Sequence, residues 1–117
     1  MIENYRAFAK YNRLMNHKLY NIVGDLPEDE LKKDYGSFFG SLFNTLNHLV
    51  LADKVWLCRF AQQSTVFPSL TKKILEIPNG FQSLNQIVFE DFKDLKEHRI
   101  EIDLAIENMF MEMSNDF

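Results

Sequence analysis

Cysteine is nearly absent from this chain of 117 residues: Cys58 stands alone, so no internal disulfide can form and the fold must rest on a packed core. Lying inside an apolar helical run, Cys58 reads as a small buried hydrophobe rather than a reactive thiol. Proline and glycine are also scarce, at three and four residues, which excludes a fibrous or loop-dominated chain. Positive charge is in deficit. Thirteen basic against 17 acidic side chains leave a net charge of −4, and the doublets Lys32–Lys33 and Lys72–Lys73 are isolated, so no basic stripe marks a nucleic-acid surface. No apolar run approaches the roughly 18 residues that raise a membrane span. The opening MIENYRAFAKYNR lacks the apolar stretch of a signal peptide. A cytoplasmic protein that binds neither nucleic acid nor membrane is the expectation. Gly-rich phosphate loops, a Ser/His/Asp order and Cys-pair motifs are missing too.

Apolar residues, by contrast, make up 46% of the chain and include eleven Phe, enough for one packed domain over residues 1–117. Tyr5, Phe8, Asn12, Met15, Leu19 and Ile22 alternate by three and four, predicting a helix over about 3–23, with Gly24 as its left-handed cap. Pro27 and the acids after it fit a short helix. In FFGSLFNTLNHLVLADKVWLCRF, Leu42, Leu46, Leu49, Asp53, Trp56 and Phe60 share one face of a second helix, about 41–62, which Ser37 or Ser41 would cap. Phe43, Val50, Leu51, Val55 and Leu57 make its other faces apolar as well, as in a helix with several neighbours. The connection 63–82, with Pro68, Pro78 and Gly80, reads as irregular apart from one turn of helix at Leu70 to Leu75. Ser83 and Gln86 have capping-box spacing, and Val88, Phe92, Leu95, Arg99, Ile102, Ile106, Met109 and Met113 then predict a third helix over 83–113. Three long helices without a strand signal mean an all-α, up-down helical bundle.

Polar residues interrupt each stripe: Asn12, Asp53 and Arg99. Buried polar groups need partners, so Asn12 is expected to reach Asp53, with Arg99 pairing Asp53 or lying nearer Leu46, as structural glue rather than catalysis. Of the three histidines, His48 falls beside the Leu46/Leu49 stripe, at a depth suited to a metal ligand or to a partly buried imidazole with a hydrogen-bond partner. His17 and His98 read as surface residues.

The segments YNRLMNHKLYN (Tyr11 to Asn21), NHLVLADKVWLCRF (Asn47 to Phe60) and FEDFKDLKEHR (Phe89 to Arg99), in this order, resemble the DinB/YfiT-like family of metal-dependent proteins over roughly residues 3 to 113. The resemblance implies a four-helix bundle, hydrolase or thiol-transferase activity on a small-molecule substrate that the sequence does not identify, and a homodimer. It also implies a divalent metal, zinc, nickel or iron, held by three histidines: one at the position of His48 and two from an H-x-x-x-H helix. That pair has no counterpart in this sequence, so the expectation is a bundle of three long helices with the fourth absent and the metal site incomplete, since zinc sites use at least three protein ligands. A non-catalytic, self-associating helical module and a truncated gene product are the alternatives.

Overall fold

The computed structural model describes residues 1–62 and 67–113. Among the described residues five helices follow one another: α1 (Ile2–Val23), α2 (Glu28–Leu31), α3 (Leu42–Ala61), α4 (Lys72–Leu75) and α5 (Phe92–Glu112). There is no strand among the described residues. Helix α5 is the hub, with α1 packed along one side and α3 and α4 on the other. Leu46, Val50 and Leu57 of α3 meet Leu95, Ile102 and Met109 of α5 in the core, joined by Tyr20, Val23, Leu31, Phe67 and Ile74.

The start of α3 is built as the sequence predicts. Ser41 Oγ accepts from the amide of Asn44 at 3.0 Å, satisfying one of the open donors of the first turn. Gly36 and Gly40 adopt φ of +83° and +91° just before it, which lets the chain turn sharply into the helix. The end of α1 differs from expectation. Gly24 is right-handed, with φ −64°, and its lack of a side chain serves proximity: a Cβ there would lie 3.0 Å from the Tyr20 carbonyl oxygen and 3.3 Å from the Phe92 ring.

Helix α5 begins at Phe92 rather than at Ser83, so the expected helix over 83–113 is corrected to 92–112 and the connection runs on to Asp91. Half of the capping box does form, since Gln86 Oε1 accepts from the Ser83 amide at 3.0 Å. It closes only a turn. The buried side chain of Asn47 on α3 accepts from the amides of both Val88 and Phe89, at 3.0 and 2.8 Å, and those donors are lost to any helix continuing through them. The cap is instead Asp91, whose Oδ1 accepts from the Lys93 amide at 2.9 Å.

The α1 stripe faces outward, and the α3 stripe is split between core and surface. On α1 the buried residues are Ile2, Ala9, Tyr20 and Val23, whereas Tyr5, Phe8, Met15, Leu19 and Ile22 are exposed. On α3, Leu49 and Trp56 are exposed, Trp56 at 57%, while Phe43, Leu46, Val50, Leu51 and Leu57 are buried. Tyr5, Phe8 and Asn12 of α1 and Asp53 of α3 border an open trough floored by Ile106 and Phe110 of α5. Only the α5 stripe lies inward as predicted.

Candidate functional site

Arg99 lies at the centre of the molecule, 4% exposed, because the heptad spacing of α5 puts it on the same face as Leu95 and Ile102. Its Nη2 donates to Asp53 Oδ2 of α3 at 2.5 Å and to Asp103 Oδ1, one turn further along α5, at 2.7 Å. Nε donates to the same Asp103 oxygen at 3.0 Å. From α1, Asn12 Nδ2 reaches Asp103 Oδ1 at 3.1 Å and Asn16 Nδ2 reaches Asp103 Oδ2 at 3.1 Å. Three helices are thus tied at one level by a single polar cluster. The pairing of Arg99 with Asp53 is as expected; Asn12, however, bonds Asp103 and not Asp53, because α1 packs on α5 and stands off from α3.

Burial opposes ionisation of Arg99, yet the two carboxylates raise its affinity for a proton above the ordinary value. Asp103 is pushed up by burial despite the guanidinium beside it. Burial likewise pushes the Tyr20 hydroxyl up, and that oxygen makes no hydrogen bond. A guanidinium locked between carboxylates and a sealed aspartate have no proton to exchange with a substrate, so the cluster is a structural tie. Asp103 and Asn16 were not singled out by sequence reading. The available signal was their position four residues after Arg99 and Asn12, where helix side chains meet.

His48 projects from α3 against the long connection. Its Nδ1 lies 2.8 Å from the Leu84 carbonyl oxygen, and its ring stacks on Phe39 with centroids 4.0 Å apart. A carbonyl only accepts, so Nδ1 carries a proton and Nε2 is the ring nitrogen left to face a ligand, the arrangement that orients an imidazole for a metal. No group of three His, Cys, Asp or Glu side chains close enough to hold a metal occurs among the described residues.

His17 is exposed, within 3.2 Å of the Asn21 amide nitrogen. His98 is not a surface residue. Its side chain is 11% exposed and packs on Phe89 with centroids 4.7 Å apart, because α5 turns it toward the connection that leads into the helix. Burial first, and then the Lys54 ammonium, lower its pKa to about 4. Lys54 itself, unforeseen from sequence, is fully buried: Nζ donates to the main-chain oxygens of Ile74 at 2.8 Å and Glu76 at 2.6 Å. Cys58, half-buried, donates to the Leu75 oxygen at 3.4 Å. The two side chains, one helical turn apart, hold the end of α4 to α3.

Long helices around a central charge tie, open along one side and carrying one imidazole oriented by a backbone oxygen, define a helical-bundle unit. The chain belongs to the DinB family, whose sequence profile matches residues 1–115. No curated protein and no solved structure matches it. Among the described residues no helix is long and apolar enough to cross a membrane.

Proposed function

We propose that this chain acts as a self-associating helical module of the DinB family, in which a second copy covers the trough between α1 and α3. The observation that carries this reading is the exposure of Phe8, Met15, Leu19, Leu49 and Trp56; Phe8 lines the trough, the others share the helical spacing of Phe8 and Asp53, and all are apolar surface of a kind that marks an interface. A two-fold arrangement presents the same strip from each copy, so one surface answers itself. Light scattering at micromolar concentration is expected to give twice the 13.8 kDa mass of the chain. A monomer with a cooperative thermal transition would overturn the proposal.

The geometry of His48 favours a second reading, in which the chain retains part of the family's metal chemistry. With Nδ1 committed to Leu84, Nε2 is the ligand His48 offers to zinc, nickel or iron, and since no group of three ligands lies together among the described residues, others would come from another chain. The purified protein alone is then expected to hold less than one equivalent of metal. Elemental analysis of wild type and His48→Ala checks this: metal lost with the imidazole supports the role of His48, and identical content in both rejects it.

A further inference from the structure

At one end of the trough a pocket of about 240 Å³ is lined by the rings of Tyr5, Phe8 and Phe110, by the Ile106 side chain, and by Asn12 and Asp53. Tyr5 and Phe110 stack at 5.9 Å with their planes 14° apart. Asp53 Oδ2 is taken by Arg99; Oδ1 has no hydrogen-bond partner among the described residues. The charge behind this wall does not balance. Asp53 and Asp103 are two carboxylates against one guanidinium, and Asn12 and Asn16 add neutral amides only, so the cluster carries one unmatched negative charge. Of the cations on α1, Arg13 pairs with Glu107, while Arg6 donates to the neutral main-chain oxygens of Phe110 and Met113 and keeps its charge there.

We propose that this pocket binds a small organic monocation of the alkylammonium class. Aromatic faces attract a poorly hydrated cation through their negative quadrupoles, and the Asp53 carboxylate, the charged group among the lining residues, favours a positive ligand. A divalent metal does not suit the lining, because one carboxylate and one amide fall short of the six to eight oxygens such hard ions take. The ammonium has two sources, a free small molecule or a lysine side chain from a second copy lying in the trough. The site itself does not depend on self-association.

Titration of the full chain with choline, followed by the aromatic NMR signals of Tyr5, Phe8 and Phe110, tests the proposal. Saturable shifts are expected, weakened at least about tenfold in Asp53→Asn, which removes the lining carboxylate. Phe8→Leu, at a side chain 68% exposed and thus outside the core, is expected to weaken binding without disturbing the fold. Choline that binds equally at all protein concentrations indicates a free ligand; choline that binds only on dilution, and drives dimers to monomers, indicates the lysine of a second copy. Absence of saturable shifts at every concentration overturns the site. Equal binding of the neutral isostere 3,3-dimethylbutanol does so as well.

Discussion

Arg99 is held by two carboxylates of unequal depth, and their removal should cost unequally. Asp103 is buried, at 2% exposure, and its loss takes the carboxylate partner from Asn12 and Asn16 and leaves Arg99 only the more exposed Asp53. Asp103→Ala is therefore expected to destabilise the fold by about 3 kcal/mol or more. Asp53 is 37% exposed at its side chain, and Asp53→Ala leaves Arg99 its other partner, so a loss nearer 1 kcal/mol is expected. Urea denaturation of both variants measures the order; equal losses would mean that Asp103 is no more deeply committed than Asp53. His98 gives a pH dependence. Its ordinary pKa is 6.5 and its folded value about 4, so between these limits the unfolded chain binds the extra proton and stability falls as pH falls. His98→Gln should flatten that fall between pH 6.5 and 4, read as the change in urea midpoint. An undiminished fall would assign the acid sensitivity to other groups. Arg99 and Asp53 were legible in the sequence because a charge in an apolar stripe is conspicuous. Lys54 was not, since its partners are main-chain oxygens and leave no mark on composition.

Elements were recovered where a local signal had no rival. The stop at Ala61, the turn at α4 and the Ser41 cap all follow from nearby residues. Where a distant side chain competed, the local signal lost, as when Asn47 claimed the amides of Val88 and Phe89 and moved the start of α5 to Phe92. The two candidate starts make different predictions. Asp91→Ala should destabilise by about 1 kcal/mol through loss of the cap, whereas Ser83→Ala should stay within about 0.5 kcal/mol. Thermal melts distinguish them, and a larger effect at Ser83 would restore the earlier start. On α1 and α3 the periodicity correctly marked apolar faces but not what covers them. Spacing alone does not reveal whether a stripe packs within its own chain.

Taken as a whole, the molecule keeps Trp56 more than half exposed, with the Arg59 guanidinium 4.8 Å above its ring. If a second copy covers the trough, tryptophan emission should shift to the blue as concentration rises, with a midpoint matching that of the mass change. Emission that stays constant while the mass doubles would place the interface elsewhere. The pairing of α1 with α5 also bears on how the chain acquires its shape during synthesis. Arg6 grips the carbonyl of Phe110 across 104 positions, and the hub helix is the last of the five to be made. Until it emerges from the ribosome, α1 has nothing to lie against, while α3 already has α4 beside it. Helical bundles usually fold quickly because their contacts are local; here the principal contact joins α1 to α5. The nascent chain must carry α1 as an uncovered amphipathic helix until α5 is made, which makes it a natural client for whatever shields such surfaces in the cell.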